Sequence, residues 1–210
     1  MRKKIINNKS EEIFKGYLKD NKLKYRRHYM VNKNSKNVDF YIKFPRKGVF
    51  CDVKEVRISK KGEIIAYKAL KKHISKLREK FRGRTIIRNP ILLITFNFSD
   101  NFFTGETVVH AMLGDLHMVQ NITKDKKSSK KFFHKGNEVL TKNQKTAISG
   151  VFIYRTMNPH ILLKNPFAKN PINNISFPNT KIISITKNYT FSRLKNLTNV
   201  MIRSHKTNAE

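Results

Sequence analysis

Acidic side chains are scarce in this chain. Fourteen Asp and Glu stand against 45 Lys and Arg, a formal net charge of +31 over 210 residues. An excess of that size goes beyond what solubility requires and predicts a polyanionic partner, nucleic acid before all others. The alternative source of part of that excess, though not of all of it, is an AT-rich coding bias that would inflate Lys, Asn and Ile. Cysteine is nearly missing as well: Cys51 alone excludes an internal disulfide and a cysteine-rich zinc site. No segment approaches the ~20 apolar residues that span a bilayer, so no membrane partner is expected. The start, Met1-Arg2-Lys3-Lys4-Ile5-Ile6-Asn7-Asn8, is basic like a signal peptide but lacks an apolar h-region. A cytoplasmic location is therefore expected. Internal repeats are absent, and Gly62, Gly83 and Gly136 sit in basic loops without a phosphate-cradling pattern. The histidines at 28, 73, 110, 117, 134, 160 and 205 share no metal-ligand spacing, and a structural or surface role is expected for each.

What is present is a globular composition, 39% hydrophobic with 15 Phe and 7 Tyr. The length suits one domain with a small appendage. The expected division is a domain over 1–165 and a basic C-terminal extension over 166–210, packed on the same domain. Ser10 is a good N-cap, Glu11 and Glu12 suit a first helical turn, and Ile13, Phe14, Tyr17 and Leu18 follow at helical spacing; residues 10–21 read as a helix. Strands are predicted over 25–32, 38–44 and 49–56, joined by turns at 34–37 and 45–48, most simply as an antiparallel meander. Ala66, Ala69, Leu70, Ile74, Leu77 and Phe81 predict a second helix with lysines on its other faces. Ile91-Leu92-Leu93-Ile94-Thr95-Phe96 suits a fully buried strand, which makes the intervening passage a crossover unit. Beyond it, a short helix is expected over 106–113 and a Lys- and Ser-rich loop over 121–137. Core strands are expected at 148–154 and 161–163, and an extended stretch over 165–180. Residues 181–205 read as basic and partly helical.

Two of the few carboxylates stand inside apolar strand-like text: Asp39 in Val38-Asp39-Phe40-Tyr41-Ile42, and Asp52 in Val49-Phe50-Cys51-Asp52-Val53-Lys54. An unpaired charge there is costly, and a divalent metal would compensate it. Asp/Glu-x-Lys also occurs as Asp20-Asn21-Lys22 and Asp125-Lys126-Lys127, so the bare triplet says little; only the Asp52 copy has the strand context. Lys54 projects from the same strand face as Asp52, where its ammonium can orient water or stabilise developing negative charge. Mg²⁺ takes one or two carboxylates plus substrate oxygens, polarises a phosphate and lowers the pKa of the attacking water. Glu11, nearer the apolar face than Glu12, is a further candidate ligand, direct or through water. The alternatives are that Asp39 and Asp52 are solvated or salt-bridged edge residues, and that Glu11 serves only the helix dipole. Cys51 alternates with Asp52 and should pack in the core.

The order helix-Glu, strand-Asp, strand-Asp-x-Lys, basic helix, buried strand resembles the restriction-endonuclease-like, or PD-(D/E)XK, nuclease superfamily. The motif's first Asp usually follows proline there; Val38 takes that place here. The resemblance implies an α/β fold with a restriction-endonuclease-like core (helix, three-strand meander, helix, strand) over about residues 9–98. It implies Mg²⁺, with Mn²⁺ as a substitute, on Asp39 and Asp52, the Val53 carbonyl as an extra ligand, Lys54 as the catalytic lysine and Glu11 as the first-helix acid. The remainder is similar to an uncharacterised bacterial group built on this core, through Ala111-Met112-Leu113-Gly114-Asp115, Thr146-Ala147-Ile148-Ser149-Gly150-Val151 and Asn165-Pro166-Phe167-Ala168. Many relatives carry a Gln or Lys on the active-site helix pointing into the site; Lys72 and Lys76 are the candidates, with surface solvation their alternative. Many also act as homodimers.

The expected function is thus a metal-dependent endonuclease on double-stranded DNA, in restriction, defence, mobile-element or repair contexts. The competing expectation is a non-catalytic binder of DNA or structured RNA. Backbone contacts are expected from Lys68, Lys72 and Lys76 on the second helix and from Lys127, Lys130 and Lys131 in the 121–137 region. Aromatics beside the latter suit base stacking.

Overall fold

A computed structural model of the chain describes residues 9–30, 37–56, 63–81, 88–96, 105–113, 115–122, 128–135, 147–156 and 159–184. Side chains are described throughout these segments except at 63–66, 105–106, 115–122 and 128–135. The first helix, α1 (Lys9–Asp20), begins one residue before Ser10. Ser10 therefore lies buried in the first turn instead of capping it. Phe14, Tyr17 and Leu18 form the buried stripe the spacing predicted. The helix ends in a Schellman motif. Leu23 N–H donates to Leu18 O at 2.9 Å and Lys22 N–H to Lys19 O at 2.9 Å, with Lys22 at φ 54°.

Strands β1 (Lys24–Tyr29), β2 (Val38–Lys43) and β3 (Gly48–Glu55) form the predicted antiparallel meander. The bend at Pro45-Arg46 is closed by Phe44 N–H donating to Lys47 O. The predicted turn at 34–37 lies, apart from Asn37, outside the described residues. Helix α2 (Glu63–Lys80) returns the chain to β4 (Ile91–Phe96), which pairs parallel to β3. All six residues of β4 are buried, as a strand covered on both faces requires.

Helix α3 (Gly105–Leu113) follows, then a feature the composition did not suggest. Strands β5 (Asp115–Ile122) and β6 (Ser128–Lys135) pair antiparallel as a separate two-stranded sheet. The loop expected over 121–137 is therefore corrected to a hairpin, of which 123–127 lie outside the described residues. Continuous cross-strand pairing from Asp115↔Lys135 to Ile122↔Ser128 outweighs the weak strand preference of lysine and serine. Strand β7 (Ile148–Tyr154) lies parallel to β4, and β8 (His160–Lys164) antiparallel to β7. A last strand, β9 (Thr180–Ser184), pairs parallel to β8. The helical reading from 181 is corrected there; Ile182 and Ile183 suit a sheet edge. The rest of that reading, 185–205, lies outside the described residues.

The seven-stranded sheet has the order β1-β2-β3-β4-β7-β8-β9 and is covered on both faces. On one face Leu70, Ile74 and Leu77 of α2 and Val108, Val109 and Met112 of α3 pack with Phe50, Leu93 and Val151. On the other, Phe14, Tyr17 and Leu18 pack with Phe40, Cys51, Phe152, Ile172 and Phe177. Two stretches singled out in the sequence meet at one seam. The β4–β7 register shifts beside Ser149, whose Oγ accepts from Ile91 N–H at 3.0 Å. Nearby, Asn165 Nδ2 donates to Ile148 O at 2.7 Å, and Asn165 Oδ1 accepts from Phe167 N–H. Both residues are buried, and each replaces backbone pairing that a bulge and a turn remove.

Candidate active site

Asp39 sits where β2 loses its regular partners. The β2–β3 register runs from Lys43↔Gly48 to Phe40↔Cys51, and Asp39 has no partner in it. In the β1 register, pairing passes from Arg27↔Phe40 to Tyr29↔Val38, skipping Asp39 beside His28, which adopts φ 47°. The side chain takes over what the ladder leaves: Val53 N–H donates to Asp39 Oδ2 at 2.6 Å. The fork thus turns a carboxylate toward β3 and fixes it there.

Strand alternation puts Asp52 and Lys54 on the α2 face of β3, while Cys51 packs on the α1 face. Asp52 is 4% exposed, so the solvated-edge alternative does not describe it; both aspartates are salt-bridged. Lys54 Nζ lies 2.9 Å from Asp52 Oδ2 and 3.3 Å from Asp39 Oδ2, and donates to Val53 O at 2.9 Å. Burial pushes the Lys54 ammonium toward losing its proton, but the charges of Asp52 and Asp39 and their hydrogen bonds outweigh it, and its pKa is raised.

Glu11 lies beside this group. Its side chain is 15% exposed against 37% for Glu12. Arg27 of β1 holds both, through Nη2 to Glu11 at 3.5 Å and Nη1 to Glu12 at 2.8 Å. Burial raises the Glu11 carboxyl pKa, and the charge of Asp39 adds to the rise; His28, Arg27 and Lys54 oppose it. Glu12 turns outward to Lys15 at 3.0 Å.

Helix α2 contributes differently from expectation. Lys72 and Lys76 are exposed, as is Lys68. The lysine that reaches the site is Lys80, whose Nζ lies 2.6 Å from Asp52 Oδ1. His73, on one helical face with Lys80, lies within reach of the charges of Lys54 and Asp52. Burial lowers its pKa, followed by the charges of Lys54 and Lys76; Asp52 acts in the opposite sense and Lys72 lowers it further. A signal existed: positions 73, 77 and 80 continue the stripe of Leu70, Ile74 and Phe81 along the sheet. Lys130 and Lys131 lie on β6, opposite Gln120 and Val119. Lys127 falls outside the described residues.

The chemistry of the donor set fits a hard cation. Two carboxylate oxygens and the Val53 carbonyl converge on one point, which the Lys54 ammonium takes. Among the described residues, no three or more His, Cys, Asp or Glu side chains gather as a ligand group. Asp39, Asp52 and the Val53 carbonyl amount to two carboxylates and a carbonyl, oxygen donors of the type that Mg²⁺ takes. No described helix is long and apolar enough to cross a membrane.

The succession α1-β1-β2-β3-α2-β4, with β3 and β4 parallel across α2, is that of a restriction-endonuclease-like core. This fold is consistent with a nuclease-like superfamily. No protein-family model matches the chain, nor does any curated protein or solved structure.

Proposed function

We propose that this chain is a metal-dependent nuclease that hydrolyses phosphodiester bonds, acting as an endonuclease on double-stranded DNA. The observation that carries the reading is the convergence of Asp39 Oδ2, Asp52 Oδ2 and Val53 O on one cationic group, the ammonium of the strand lysine Lys54. Asp39, Asp52 and the Val53 carbonyl would hold Mg²⁺, or Mn²⁺ in its place, with Glu11 acting from α1 through water. The metal, when bound, supplies phosphate polarisation and an acidified water. Lys54 remains tethered by its strand position and serves as a donor to the attacking water or to a phosphate oxygen. The Arg27 pair keeps Glu11 on the Asp39 side of the sheet. Exposed Lys68, Lys72 and Lys76 face the backbone of the substrate, with the β5–β6 hairpin lysines as a second contact. A homodimer would place two such sites on opposite strands.

The test is incubation with linear, circular, single-stranded and branched DNA and with RNA, with and without Mg²⁺ or Mn²⁺. Metal-dependent cleavage is expected. Asp52→Ala and Lys54→Ala should each lower it by roughly a hundredfold or more while nucleic-acid binding persists. Cleavage by Asp52→Ala at the wild-type rate sinks the enzyme reading. Binding with no cleavage in any arm would leave a nucleic-acid-binding protein.

A further inference from the structure

Most lysines of α2 are solvated, and Lys80 is not. Its side chain is 15% exposed, and a lysine is buried to that degree only when something pairs with it. Its partner is Asp52 Oδ1 at 2.6 Å, while Oδ2 of the same carboxylate meets Lys54 at 2.9 Å. Asp39 completes the group through Lys54. With Glu11 paired to Arg27, the two aspartates face two ammonium groups, and the cluster is balanced before any metal arrives. A divalent ion added to it leaves an uncompensated double positive charge at short range, which is unfavourable in a half-buried site. A phosphodiester anion restores part of the balance.

We propose that Lys80 is a built-in counter-cation, which makes tight divalent-metal binding at Asp39 and Asp52 depend on a phosphodiester ligand. The inference rests on the metal-dependent reading above and adds a coupling to it. Lys54 occupies the convergence point and must swing aside for the ion, whereas Lys80 holds the other oxygen of Asp52 and can stay. It then performs two tasks: it keeps Oδ2 turned to the site, and it sets the charge that the metal meets. Because binding free energies are reciprocal, the metal tightens phosphodiester binding by the same factor. An idle metal site is thereby kept weak, and the ion is held when substrate is present.

The experiment is Mn²⁺ binding to the full chain, read from the paramagnetic resonance of free Mn²⁺. It is run without nucleic acid and with a phosphorothioate-protected duplex. Wild type is expected to bind Mn²⁺ about tenfold or more tightly with the duplex. Lys80→Met should tighten Mn²⁺ binding by the nucleic-acid-free protein about tenfold and shrink the duplex effect. Lys80→Arg should restore both, and Lys43→Gln, exposed at the other end of β2, should change neither. Equal wild-type affinity with and without duplex overturns the proposal without any substitution. Unchanged affinity in Lys80→Met, with binding still lost in Asp52→Asn, removes the role of Lys80 and leaves the metal-dependent reading intact. Absence of any Mn²⁺ binding that Asp52→Asn removes, in both arms, overturns both.

Discussion

His160 shows what a single ring can do to the acid limit of this fold. It is buried at the start of β8, stacked on Tyr154 at 4.3 Å and edge-on to Tyr17 at 5.0 Å, with Phe152 beyond. Its Nδ1 accepts from Arg155 N–H at 3.3 Å. Burial holds its pKa down at about 4, and the Arg155 charge adds to the depression. Above the ordinary value of 6.5 the ring is neutral folded or unfolded and contributes no pH dependence. Between 6.5 and about 4 the unfolded chain takes up a proton that the folded chain refuses, so stability falls with pH and levels off below. The loss is on the order of 2–3 kcal/mol. Urea midpoints at pH 7 and 4.5 should separate widely for the wild type and much less for His160→Phe; equal separations would discard this account. At this same scale the sequence was informative for some residues only. Asp39, Asp52 and Lys54 stand out because a charge in strand-like apolar text has few explanations. Lys80 and His73 are less conspicuous, because on a basic helix only their place on the stripe of Leu70, Ile74 and Phe81 sets them apart from the solvated residues around them.

Among the elements, the end of α1 is where a substitution can add stability. Lys22 holds a left-handed conformation at φ 54° to complete the Schellman motif, and Leu23 packs against the cluster that contains Leu18. Lys22→Gly relieves the Cβ penalty at that position, worth about 1 kcal/mol. A higher denaturation midpoint with an unchanged slope is expected; a lower midpoint would show that the lysine side chain matters more than its backbone. Elements with strong periodicity were legible: α1, the meander, α2, β4, β7 and β8 fall where apolar spacing puts them. The β5–β6 hairpin and β9 were not, because pairing across a ladder stabilises them and composition records nothing of a partner strand. Asn165 and Ser149 stood within stretches noted for their resemblance to other proteins, but their task of closing a bulge and a turn required the register.

For the whole molecule, charge dominates. Lys68, Lys72 and Lys76 lie four residues apart on α2, one exposed stripe, and binding to DNA should weaken steeply with salt. Replacing all three with Gln is expected to reduce the slope of log affinity against log salt by roughly 2–3, measured by fluorescence anisotropy from low to physiological salt. An unchanged slope would move the contact surface elsewhere. The distribution of the core has a different consequence. Tyr17 donates to Pro178 O at 2.8 Å, and Ile172, Ile175 and Phe177 pack in the same cluster as Phe14 and Leu18. The helix that brings Glu11 to the aspartates is thus seated partly on residues made more than 150 positions later. During vectorial synthesis the meander bearing Asp39, Asp52 and Lys54 is complete long before that seat exists. A nascent chain therefore carries the strands of Asp39, Asp52 and Lys54 without the finished support of α1. Full assembly of the site waits for the second half of the protein; on the nuclease reading proposed above, cutting of nucleic acid beside the translating ribosome would be delayed.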